Sequence, residues 1–212
     1  MAGSISSETL PHGGGPPGGA GDFGGDSARP SGAFRRASLT GIFVLFAAIV
    51  MLFAAFTSAM VVRRGLSSDL VSLPLPGILW WNTGVLILSS AALELGRRAL
   101  RSRHRENFNR YWSAGSVLGV VFLAGQVLAW RQLQAAGIYL DTNPSSSFFY
   151  LLTVAHALHL GGGLLALFYI DVQALRLRLG PGRRTAVEVS SIYWHFMDGL
   201  WIYLMLLFLI WG

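Results

Sequence analysis

Residues 39–62 read LTGIFVLFAAIVMLFAAFTSAMVV, a stretch with no charged side chain. An α-helix rises about 1.5 Å per residue, so about 20 such residues cross a hydrocarbon layer of about 30 Å. Lipid offers the backbone no hydrogen-bonding partner, and an isolated span must therefore satisfy its amides internally, as a helix. Four further apolar segments of comparable length follow, at about 77–95, 111–133, 148–170 and 187–211. None alternates apolar with polar residues as a barrel strand would, and no fixed-period repeat relates them. The expected fold is an all-α integral membrane bundle of five transmembrane helices.

Composition agrees. The 212-residue chain is 53% hydrophobic and 12% charged, too apolar for an ordinary soluble domain. Upstream of the first span the character changes. Residues 1–37 contain PHGGGPPGGAGDFGGDSARPSGAF, whose glycine and proline content cannot bury enough apolar area to offset ordering entropy. They are expected to form a disordered cytoplasmic tail ahead of a membrane domain at 38–212, without the charged start and apolar stretch of a secretory signal. Cysteine is absent, which excludes disulfides, thiolate metal sites and thiol nucleophiles.

All 16 basic residues are arginine, and their placement orients the bundle. With the amino terminus inside, thirteen lie in the tail and in the second-to-third and fourth-to-fifth connections. Only Arg63, Arg64 and Arg131 fall outside. This asymmetry follows the positive-inside rule and predicts a carboxyl terminus outside. It also accounts for RRALRSRHRENFNR at 97–110 as a cytoplasmic connection, so nucleic acid is not an expected partner.

Ionisable residues inside spans are expensive and mark candidate sites. They are Glu94 in the second span, His156 and His159 in the fourth, and Glu188, His195 and Asp198 in the fifth. Glu94 is within pairing distance of Arg97 and Arg98 along a helix. Counting from the span ends at about 1.5 Å per residue brings His156/His159 and His195/Asp198 to a similar depth. Each pair is spaced three apart and shares one helix face, and the LGGGL run after His159 favours close helix approach. The simplest reading is a polar clasp of the fourth helix on the fifth. Three histidines and an aspartate are also the ligand types of a zinc or non-haem iron site, facing histidines could hold a haem, and a His–Asp proton relay has the same residues. Trp80, Trp81, Trp112, Trp130, Tyr139 and Trp211 sit near span ends and read as an interfacial aromatic belt. The Ser89, Ser90, Ala91, Ala92 run is a small-residue packing surface.

WNTGVLILSS at 81–90, Gln126, FFYLLTVAHALHLGGG at 148–163 and VEVSSIYWHFMDGLWIYL at 187–204 together resemble subunit III of haem-copper cytochrome c and quinol oxidases, in its short five-helix form. The resemblance implies a non-catalytic accessory subunit of a respiratory complex in a bacterial-type plasma membrane, reducing O2 to water with proton pumping. It implies oxidase subunits I and II as partners, which carry the haem and copper, phospholipid as a ligand, and no cofactor, metal or catalytic residue in this chain. Thr153, His156, His159, Glu188, Trp194, His195, Asp198 and Trp201 match motif positions and become candidates for helix packing and the lipid interface. Ile49 and Ala129 stand where family members often carry a membrane carboxylate. A free-standing membrane b-type cytochrome, a metal-dependent membrane enzyme using the histidines, and the related subunit of a nitric oxide reductase are the alternatives.

Overall fold

A computed structural model describes residues 30–66, 76–102, 104–139, 144–176 and 181–211. It contains five long helices: α1 (Pro30–Leu66), α2 (Ile78–Arg101), α3 (Arg105–Ala135), α4 (Pro144–Leu175) and α5 (Pro181–Trp211). All five are long and apolar enough to cross a membrane, and no strand occurs among the described residues. Three of them begin at proline, which suits the first helical turn because its missing N–H would have had no partner there. The end of α3 closes in a Schellman motif. Gly137 adopts φ +79°, Ile138 N–H reaches the Leu133 carbonyl and Gly137 N–H the Gln134 carbonyl, each at 3.0 Å.

The helices outrun the apolar segments that predict them. The expected tail reaches residue 37, yet α1 already starts at Pro30, so residues 30–37 are helical; residues 1–29 lie outside the described residues. Much of the arginine-rich 97–110 connection is likewise helix, with only residues 102–104 between α2 and α3. Leaving hydrocarbon does not end a helix. The backbone continues to pair with itself until a breaker intervenes, and arginine stems extend the apolar surface while their guanidinium groups reach polar surroundings.

Packing partners define a ring of α2, α3, α4 and α5, with α5 returning to α2, while α1 lies outside it against α4 and α5. Neighbours in the ring run antiparallel: Ser89 meets Gly115 and Asn82 meets Phe122 across α2–α3, Trp112 meets Leu167 and Trp130 meets Thr153 across α3–α4. The start of α1 and the end of α5 therefore lie at opposite ends of the bundle. Buried Ile42, Ile49, Phe53 and Met60 form the stripe that seats α1. Phe46 stacks on Phe196 at 4.1 Å, and Tyr203 donates to Thr57 Oγ1 at 3.0 Å. The opposite face of α1, including Phe43, Val44 and Met51, is exposed. Such a face has no need of burial in lipid, which is as apolar as the side chains.

Close approach rests on glycines of α3. A Cβ on Gly115 would fall 2.6 Å from Leu93, and one on Gly119 2.7 Å from the Trp194 ring. Ser89 can consequently donate to the Gly115 carbonyl at 2.8 Å, and Asn82 Nδ2 to the Phe122 carbonyl at 3.0 Å.

Candidate functional site

Polar residues of the spans segregate into two groups on different sides of α5. The first joins α5 to α2. His195 Nδ1 is hydrogen-bonded to Ser90 Oγ, and Asp198, one turn further along α5, lies near the same hydroxyl, with its Oδ1 buried and without a hydrogen-bond partner among the described residues. The His195 tautomer decides which of the imidazole and the hydroxyl donates. His195 Nε2 lies 3.9 Å from Glu94 Oε2. The Glu94 carboxylate is held by Arg97, through Nε at 2.7 Å and Nη2 at 3.0 Å, and by Arg98 Nε at 3.0 Å. The pairing of Glu94 with Arg97 and Arg98 expected from their spacing is thus present.

The second group lies between α3, α4 and α5. His156 is completely buried, tilted against Trp201 with centroids 5.2 Å apart and meeting the edge of Phe122 at 6.2 Å. Neither of its ring nitrogens has a hydrogen-bond partner among the described residues. Trp201 Nε1–H donates to Thr83 Oγ1 at 3.0 Å, tying α5 to α2 one to two turns from the Ser90 contact. Thr153, fully buried, donates to the Phe149 carbonyl at 2.7 Å and accepts from Trp130 Nε1–H at 3.1 Å. His159 Nδ1 bonds the Ala155 carbonyl of its own helix at 2.7 Å, and its ring edge meets Phe53 at 6.1 Å. Its carbonyl accepts the Tyr193 hydroxyl at 2.8 Å.

The clasp expected between His156/His159 and His195/Asp198 is therefore not what joins α4 to α5. That pair of helices is held by Tyr193 on the His159 carbonyl and by aromatic packing, whereas His195 and Asp198 turn to α2. The rise per residue determines depth, but the direction a side chain takes around the axis changes by about 100° per residue. Equal depth left that azimuth open. Trp194, beside His195, points the other way and is wedged where Gly119 and Gly163 leave room. Among the described residues, no three His, Asp or Glu side chains group as a metal site. The remaining candidate, Glu188, is half-buried near the start of α5 and lines a cavity with Arg97.

Two other expectations change. Trp112 is not an interfacial ring: it is fully buried and donates through Nε1–H to the Leu167 carbonyl at 3.3 Å. Trp80, Trp81 and Tyr139 are exposed as belt residues should be, and the Trp211 side chain lies outside the described residues. Of the LGGGL glycines only Gly163 meets a neighbour, the Tyr193 ring at 2.6 Å from a would-be Cβ, while Gly161 and Gly162 face open space. Sequence reasoning missed Gly115 and Gly119, although their G-x-x-x-G spacing is a known signal of close membrane packing. It also missed Asp171, which accepts from Ser113 Oγ at 2.8 Å.

These contacts predict which pairs of substitutions interact. In the folded chain in detergent, Ser90→Ala and His195→Ala are expected to be non-additive by about 0.6–1.7 kcal/mol. His156→Leu and Asp198→Ala should add to within about 0.5 kcal/mol, as unconnected sites do. Unfolding of the four single and two double variants measures both, and coupling of His156 with Asp198 would restore the clasp.

Residues 38–212 match the family described as cytochrome c oxidase subunit III. The chain is 34% identical over 120 residues to a probable cytochrome c oxidase subunit 3 of Mycobacterium tuberculosis strain H37Rv, covering 57% of this chain and 59% of the relative. It is 34% identical over 140 residues to cytochrome c oxidase subunit 3 of Synechocystis sp. PCC 6803, covering 65% of this chain and 57% of the relative. Over 175 residues it is 30% identical to cytochrome c oxidase subunit 3 of Thermostichus vulcanus, covering 77% and 82% respectively. The chain thus spans less than two thirds of the mycobacterial and Synechocystis relatives.

Proposed function

The chain belongs to the cytochrome c oxidase subunit III family, and from that premise we propose that it is a non-catalytic accessory subunit of a respiratory haem-copper oxidase. In this reading it stabilises the complex, binds phospholipid and supports proton uptake, while subunits I and II carry the haem and copper that reduce O2 to water. The complex sits in a bacterial-type plasma membrane, with the amino terminus of this chain inside and its carboxyl terminus outside.

The observation that carries the accessory role is what the intramembrane polar residues do. His195 is committed to Ser90, Thr153 to Trp130, and Trp201 to Thr83, each a bond that joins one helix of the ring to another. His156 lies in an aromatic enclosure of Trp201 and Phe122, completely buried. These are the arrangements of residues that hold a bundle together. Ile49 and Ala129, where relatives often carry a carboxylate, are 2% and 0% exposed and belong to the apolar core. Proton handling in this chain would accordingly rest on other groups. The arginine distribution supports the orientation.

One experiment tests the reading. A chain tagged after Gly212 is expressed in its own membrane, intact cells stripped of their wall are treated with protease, and an untreated sample is purified in mild detergent. Protease should remove the tag, and the tag should retrieve two larger subunits with haem absorption. After separation the haem should remain with those subunits. A protected tag would reverse the orientation, and haem travelling with this chain would restore the b-type cytochrome reading.

A further inference from the structure

Two enclosed polar side chains of the ring meet nothing polar. His156 of α4 is 0% exposed and Gln126 of α3 1%, and none of their four side-chain nitrogen and oxygen atoms has a hydrogen-bond partner among the described residues. We infer that the two share a bound water molecule, held inside the bundle between α3 and α4 with the imidazole and the amide as its ligands.

Contacts on either side bring the two residues together. Phe122, one turn before Gln126 on α3, meets the His156 ring at 6.2 Å, and Trp130, one turn after it, donates to Thr153 Oγ1 at 3.1 Å. A step of four residues turns a helix by only about 40°, so a side chain between two that reach α4 points there as well. Thr153 and His156 are three apart and share a face of α4. Gln126 thus approaches α4 between them. Phe122 and Trp201 close the site with rings that offer the imidazole nothing to bond, since the Trp201 indole N–H is used on Thr83.

The donor set specifies the occupant. A neutral imidazole has one N–H donor and one bare nitrogen acceptor, and the amide has two N–H donors and one carbonyl oxygen. An occupant that satisfies both must donate and accept at once and carry no charge, because a cation would face the N–H groups and an anion the carbonyl oxygen. Water meets these conditions, and buried waters make about three hydrogen bonds to groups otherwise left unpaired. The bilayer sharpens the requirement, since hydrocarbon supplies no partner to either side chain. The two make no direct bond to each other, and leaving all four atoms bare is the costly alternative. A bridging water gives His156 a polar tie to α3, in place of the tie to α5 that equal depth suggests from the sequence.

The site lies within this chain, so its test is independent of the oxidase reading. The full chain, labelled with nitrogen-15 at histidine and tryptophan, is placed in phosphatidylcholine bilayers. Transfer of proton polarisation from water to the ring N–H groups is followed by solid-state NMR, with signals assigned by their loss in H156Q and W112F. The Trp112 indole N–H, fully buried and bonded to the Leu167 carbonyl, is the dry reference. In wild type, transfer to His156 should be about tenfold faster than to Trp112, because a bridging water stands at hydrogen-bond distance. Q126M, which puts an apolar side chain of similar length in place of the amide, should abolish that difference and leave Trp112 unchanged; Q126L takes its place if Q126M does not fold. A wild-type His156 ring as slow as Trp112 overturns the inference, and that reading needs no variant. Fast transfer that survives loss of the amide also overturns it, by placing the water away from Gln126.

Discussion

Trp201→Ala is expected to cost the bundle about 3 kcal/mol, the lower end of the range for emptying a buried tryptophan. The lower end applies because lipid, not water, surrounds the helices, so the loss is packing and hydrogen bonding with little transfer from water. Trp201 is completely buried and spans the ring from α5. It packs on His156 of α4, meets Phe122 of α3 edge-on with centroids 5.2 Å apart, and donates its indole N–H to Thr83 of α2. No relaxation of one neighbour can fill the space, since the three belong to different helices. Trp201→Phe keeps most of the ring contact and loses the N–H bond, for about 1 kcal/mol. Unfolding of the purified chain, and its retention on the complex in detergent, measure both. Equal stability of the alanine variant and wild type would mean that the interior is not packed around this residue.

Gly119→Val should be nearly as damaging, at about 1–3 kcal/mol of overpacking. Its first added carbon would stand 2.7 and 2.9 Å from two atoms of the Trp194 ring and 3.0 Å from Leu164. Trp194 has little room to retreat, because it is fully buried and its far side approaches Gly163. Gly161→Ala and Gly162→Ala meet open space, and alanine's better helix propensity should leave them neutral or raise stability by up to about 1 kcal/mol. Thermal unfolding of the three variants in detergent decides the matter. A harmless Gly119→Val beside a damaging Gly161→Ala would place the close helix contact on the conspicuous LGGGL run instead of on α3.

Much of this architecture was legible without coordinates. Apolar length is a one-dimensional property that the bilayer converts directly into a helix, so five spans could be counted from the chain and all five are present. The ion pairs of Glu94 with Arg97 and Arg98 were legible for a related reason: spacing along one helix sets distance without help from tertiary structure. The ordered motif from Glu188 to Trp201 identified the family. Ends of helices were less visible, because hydropathy marks where hydrocarbon stops and hydrogen bonding, interrupted by Pro or Gly, decides where a helix stops.

What the tertiary structure alone decided is which residue faces which. From the sequence, His195 and Asp198 share a depth with His156 and His159; in the bundle His195 bonds Ser90 of α2, and His156 lies among aromatic rings. Trp112 reads as interfacial by its distance from a span end and is a core residue by the side of α3 it occupies. Arg101 and Arg184 are separate loop charges in one dimension and the two sides of a single cavity in three. The physical reason is common to all of these. A membrane span carries its depth in its residue numbers, but its rotation about its own axis is set only by fitting its side chains against its neighbours, and in lipid those neighbours select the face by packing and hydrogen bonds.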